Sequence, residues 1–141
     1  MKNTIFITLF LLLFVSCEKD DGNGIDNLES KIIGKWMSEF SETNTLNKTI
    51  TTYRIIDEYY EENGFRSMTY TKTENIGQEN DYEFVKILDE YGTYEVIQKK
   101  NKIKYHFKDK YGEEYTSEVI IESITENTLA IRNYYTFVRL E

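Results

Sequence analysis

His106 is the only histidine and Cys17 the only cysteine in the 141-residue chain. Any mechanism that needs an imidazole base or a thiolate must therefore use one of these two positions. His106 lies between Lys104 and Lys108 in an alternating run, where a solvated strand histidine fits better than the base of a Ser-His-Asp or Cys-His arrangement. A structural zinc site needs three or four His, Cys or carboxylate ligands, and one histidine with one cysteine do not supply it. The acidic pairs Asp57-Glu58 and Glu61-Glu62 would suit glycoside hydrolysis only if two carboxyls stood about 5–9 Å apart across a cleft. Nothing in their spacing separates them from a charged, solubilising rim. The Asp/Asn/Gly cluster before residue 28 lacks the pattern of a calcium loop, since counting from Asp21 places Asp26, not glycine, sixth. Gly-rich phosphate loops are absent as well. The expectation is a protein that is not an enzyme and uses no metal or cofactor.

Tyrosine is the more informative residue type. The chain has 12 Tyr and 8 Phe; Tyr53, Tyr59, Tyr60, Tyr70, Tyr94, Tyr105, Tyr134 and Tyr135 exceed what a plain core needs. A tyrosine gives a binding pocket apolar area with a polar tip, and it fills cavities equally well. Taking one side of the alternating runs, the candidate ligand-lining residues are Tyr53, Tyr94, Tyr105 and Phe107. The ligand class that suits them is a small apolar or amphipathic molecule.

The elements that must position these residues are strands. Proline is absent and Ala130 is the only alanine, while Tyr, Ile and Thr favour the pleated, half-buried surface of a sheet. In the clearest run Ile103, Tyr105 and Phe107 share one face and Lys104, His106 and Lys108 the other, the period of two that a strand imposes. The β-rich runs are Ile32 to Phe40, Thr49 to Tyr60, Phe65 to Thr73, Tyr82 to Leu88, Thr93 to Gln98, Ile103 to Phe107, Tyr115 to Ile124, Leu129 to Asn133 and Tyr135 to Leu140. Asn63-Gly64, Asp89 to Gly92 and Lys99 to Lys102 read as turns between them. Short strands with one apolar face and no long helical period predict an all-β, antiparallel up-and-down barrel of about eight strands, because closure removes exposed edges.

Ahead of the strands, Lys2 is followed by the apolar run Ile5 to Val15 and then Ser16, the order of a secretory leader. About 11 apolar residues are too few to cross a bilayer as a helix, which takes about 20. Phe14-Val15-Ser16-Cys17 resembles the lipobox of bacterial lipoproteins. That resemblance implies cleavage after Ser16 and a lipid on Cys17 as the contact with the membrane, and a lone thiol in an oxidising compartment agrees with it. Glu18-Lys19-Asp20-Asp21 resembles the surface-export signal of Bacteroidota lipoproteins, which implies the outer membrane, facing the cell surface, with the periplasmic face as the alternative. Residues 17–30 read as the lipidated cysteine and a flexible acidic tether, too poor in apolar residues to fold. Residues 31–141 read as one domain. The net charge of −8 argues against nucleic acid as a partner, since its backbone is bound by clustered Lys and Arg.

Ile33-Gly34-Lys35-Trp36 at the entry to the first strand looks like the Gly-x-Trp of the lipocalin family. Gly92 to Val96, Lys102 to Tyr105, Ile124 to Ile131 and Tyr135 to Arg139 look like the spaced β-motifs of small bacterial lipocalin-like lipoproteins, so the resemblance covers about residues 31 to 141. It implies that Gly34, Trp36 and Arg139 close one end of the barrel, with the tryptophan as a plug under the basic side chain. It also implies ligand binding in the interior. The chain departs from full-length lipocalins in lacking their long helix and disulfides, which leaves a second reading open: a solid barrel whose outer face or loops, near Asn75 to Asn80 and Lys108 to Glu113, bind another protein as an inhibitor or immunity-type factor does.

Overall fold

Side chains that alternate in and out along every run can bury only one face, and the sheet satisfies this by closing on itself. A computed structural model describes residues 24–78, 82–108 and 111–140. A short helix, α1 (Leu28–Ile32), precedes eight strands: β1 (Gly34–Asn44), β2 (Thr49–Tyr59), β3 (Gly64–Asn75), β4 (Val85–Ile97), β5 (Lys102–Lys108), β6 (Glu114–Ile124), β7 (Thr128–Ile131) and β8 (Thr136–Leu140). Each strand pairs antiparallel with the next, and β8 returns to β1, giving a closed eight-stranded barrel. The architecture is consistent with a lipocalin-like barrel. The expected leader, Cys17 and the acidic residues that follow it lie outside the described residues. No helix among the described residues is long and apolar enough to cross a membrane.

Three local expectations need correcting. The tether was expected to run to Ser30, yet Leu28 and Ile32 are fully buried and Ile25 packs on the core. These three residues form an apolar stripe that average composition hides. The Ile25 amide accepts no freedom either, donating to Asn101 Oδ1 at 2.5 Å. Ile32, expected in the first strand, instead ends α1. The turn expected at Asp89 to Gly92 does not form: β4 runs unbroken through it. Gly92 is there because β5 lies so close that a Cβ would strike the His106 carbonyl oxygen. Two expected runs therefore merge into one strand, which is why eight strands form from nine runs.

One end of the barrel is sealed by side chains. Trp36 is fully buried and its indole Nε1 donates to the Ile32 carbonyl at 2.7 Å. Arg139, its register partner across the β1–β8 seam, lies with Cζ 4.1 Å from the tryptophan ring centroid. The same guanidinium donates to the carbonyls of Ile33, Lys31 and Glu126 at 2.8, 2.7 and 2.6 Å. Gly34 has φ +130° and faces Arg139 Nη1 so closely that no Cβ would fit. One cation thus joins the helix exit, the β6–β7 turn and the plug.

Replacing Arg139 by Met leaves three carbonyls without donors, so urea unfolding should show a loss of about 2–3 kcal/mol. Gly34→Ala adds both a clash and a strained backbone and should lose about 2 kcal/mol or more. Because the clash is with Arg139 itself, the double variant should lose about 1 kcal/mol less than the two single losses added. Strict additivity would show that the glycine and the arginine do not meet.

Candidate functional site

The inner positions of the strands are large at the closed end and small further up, and this gradient makes a cavity. Near the plug the rings of Tyr59, Phe65, Tyr94 and Tyr105 fill the cross-section: Tyr59 meets Tyr94 edge-on at 5.2 Å and Phe65 meets Tyr105 at 4.6 Å. Above this layer the inner positions include Ser67, Thr69 and Ser117, and a space of about 310 Å³ remains. Its lining is drawn from β2 through β8, which places it inside the barrel. Leu88, Tyr115 and Tyr134, all exposed, mark its mouth. A wider depression of about 690 Å³ contains His106 but is lined only from β4, β5 and β6, so it is a groove at the side of the rim and not an enclosure.

The floor of the cavity carries polar groups in a specific arrangement. Asp57 on β2 is 7% exposed and accepts a 2.6 Å hydrogen bond from the Ser67 hydroxyl on Oδ1. Oδ2 has no hydrogen-bond partner among the described residues. Burial pushes the Asp57 carboxyl up from 3.8 to about 6, against the pull of the Ser67 hydroxyl. Beneath it the hydroxyls of Tyr59 and Tyr105 share a 2.5 Å hydrogen bond, and burial drives both phenols above their ordinary range. Nearer the mouth, Glu90 accepts a 2.5 Å hydrogen bond from the Tyr115 hydroxyl. The cavity lining holds two carboxyls and no Lys, Arg or His.

The structure separates the four expected lining residues by depth. Tyr105 and Phe107 line the cavity. Tyr94 does not: it is buried below, its hydroxyl donating to the Tyr60 carbonyl at 3.1 Å. Tyr53 does not either, because it stacks on Phe40 at 5.0 Å further toward the rim, and Phe40 in turn stacks on Tyr135 at 3.8 Å. Alternation gives a side chain's face but not its height along the barrel, and height decides between plug, pocket and rim. Asp57 and Glu58 are not the uniform charged rim expected of them. Glu58 faces outward, paired with Lys35 at 2.7 Å, while Asp57 points in. The signal was present in the order Tyr53, Ile55, Asp57, Tyr59, which places Asp57 in phase with three apolar neighbours.

The described residues bring no three His, Cys, Asp or Glu side chains together in a group that would hold a metal ion. No family model matches the chain, and no curated protein is significantly similar to it. The site's chemistry is therefore read from its geometry.

An acid whose pKa rises on folding destabilises the fold once the unfolded chain has ionised. The unfolded chain releases this proton near pH 3.8 and the folded protein near 6, so stability falls as pH rises between these values and the cost then stays constant. The other titratable groups on the floor and lining of the cavity are Tyr59, Tyr105, Tyr134, Tyr115 and Glu90, and none adds a positive charge. Asp57→Asn should accordingly raise the unfolding free energy by about 2–3 kcal/mol at pH 8 and change it little at pH 4. Urea titrations at the two pH values test this, and an equal change at both would place the effect outside the carboxyl's ionisation.

Proposed function

We propose that the protein is a lipid-anchored, lipocalin-like binding protein that holds a small apolar or amphipathic molecule inside its barrel, without catalysis. The observation that carries this reading is the interior cavity of about 310 Å³, at the small end of the size range of ligand sites. Its walls combine aromatic faces with a few polar groups, the usual composition of such a site. The lipobox-like Phe14 to Cys17 and the acidic residues after it support export and a lipid on Cys17, with the barrel held at the outer membrane on the cell-surface side. Several acyl chains on one cysteine anchor stably, since each buried methylene contributes about 0.8 kcal/mol. The competing reading, a protein-contact module with a solid barrel, would draw on the exposed Val85, Ile87 and Tyr91 of β4; the open interior counts against it.

Two measurements test the reading. The neutral fluorophore N-phenyl-1-naphthylamine should bind the purified barrel with a stoichiometry of one. Ser117→Phe, which places a ring in the cavity, should weaken that binding at least tenfold while the circular dichroism spectrum is retained. Undiminished binding by the filled variant would move the ligand out of the barrel. For the anchor, Cys17→Ser should shift the expressed protein from the membrane fraction to the soluble one, and mass spectrometry of the wild-type amino terminus should find acyl chains on Cys17.

A further inference from the structure

The cavity is apolar in its walls but not neutral in its chemistry. Asp57 is more than nine-tenths buried, aims its carboxyl into the space and leaves Oδ2 without a protein partner among the described residues. Its one hydrogen bond, from Ser67, occupies the other oxygen. An ionised carboxyl in such surroundings needs a cation or further donors, because taking it out of water costs several kcal/mol. Elsewhere in the protein acids meet that need locally: Asp89 is gripped by Arg66 and Lys86, Glu58 by Lys35, and Glu118 by Lys102. In the cavity no lysine, arginine or histidine does so, and the second acid there, Glu90, adds charge of the same sign.

We propose that the bound molecule is an organic cation, a compact amphipath whose protonated amine meets Asp57 Oδ2 while its apolar body lies among Phe65, Tyr105 and Phe107. This rests on the binding-protein reading above and names the ligand class. A metal ion fits the same position less well, since among the described residues no third His, Cys, Asp or Glu joins the two acids. An ammonium group needs less: one carboxylate to pair with and ring faces close by, which attract a cation through their quadrupoles. Phe65, Tyr105 and Phe107 supply those faces as a contiguous set, with centroids 4.6, 5.6 and 5.8 Å apart. Glu90 near the mouth places a second negative charge on the route inward, which favours entry of a cation and opposes an anion.

The test compares three ligands that share an indole and a short side chain but differ in the head group. Titrated calorimetrically into the barrel at pH 7.5, tryptamine should bind at least tenfold more tightly than the neutral tryptophol, and indole-3-propionate should bind most weakly. Asp57→Asn should abolish the preference, lowering tryptamine affinity at least tenfold and leaving tryptophol within threefold of wild type. If N-phenyl-1-naphthylamine binds but tryptamine binds no better than tryptophol, the cation assignment falls and the binding-protein reading stands. Tightest binding by indole-3-propionate also overturns it, since Asp57 would then be held protonated as a donor to an anion. If neither the fluorophore nor any indole binds, the binding-protein reading fails and takes this inference with it.

Discussion

The seam between the first and last strands is the constraint on which the barrel depends. β1 and β2 pair over eleven residues, whereas β1 and β8 pair over three, Lys35 to Met37 against Val138 to Leu140. So short a ladder contributes few hydrogen bonds to closing the sheet, and the β6–β7 and β7–β8 ladders beside it are equally short. Arg139 compensates by tying three separate carbonyls together while covering the plug tryptophan. Its guanidinium suits that task as an ammonium would not, because it offers five donors in a fixed plane that also lies flat on an indole. The glycine at 34 follows from the arginine, since the space its side chain would fill is already taken.

A sealed lower end permits a hollow upper one. The barrel holds enough large rings to fill its cross-section, but they gather below Asp57, and the stack of Phe40, Tyr53 and Tyr135 stands near the rim. Between these layers, β3 and β6 present hydroxyl side chains inward. An eight-stranded barrel is narrow enough that this difference in side-chain size decides whether the interior is solid or open. The plug and α1 are therefore separate from the surface that would meet a ligand, while Phe65, Tyr105, Ile131 and Phe137 belong to both core and lining. Changes at the small lining positions Ser67, Thr69 and Ser117 leave the plug, the seam and α1 untouched.

How far the sequence reveals this architecture depends on the range of the signal. Strict alternation in Ile103 to Phe107 and the abundance of β-formers reveal antiparallel strands around one core, because the period of two is local. Gly92 misleads for the opposite reason. Glycine beside Asp89, Glu90 and Tyr91 has the composition of a turn, yet its role is set by the backbone of β5, which is distant in sequence. Leu28 and Ile32 are similarly hidden: within a polar stretch they form a single turn of helix whose value lies in capping the barrel. Tyr94 and Tyr105 are register partners with the same inward face, yet only Tyr105 reaches the cavity, because strands cross a barrel at a tilt that local sequence does not encode.

At Asp57 these local and long-range constraints meet. Local pattern places it inside, register with Trp36 and Ser67 fixes its height just above the plug, and the small side chains around it leave room beside its free oxygen. A neutral amide would fit the same space and keep the Ser67 hydrogen bond without the cost of burying a charge. Nothing in the packing of the barrel calls for a carboxylate at this position, since the seam, the plug and the aromatic floor are complete without it. A group that weakens the fold and faces an open cavity is best explained by what enters that cavity. The same cost explains why the charge is confined to the hollow: deeper, among Tyr59 and Tyr105, no ligand could reach it, and nearer the rim water would solvate it and weaken its hold on a cation.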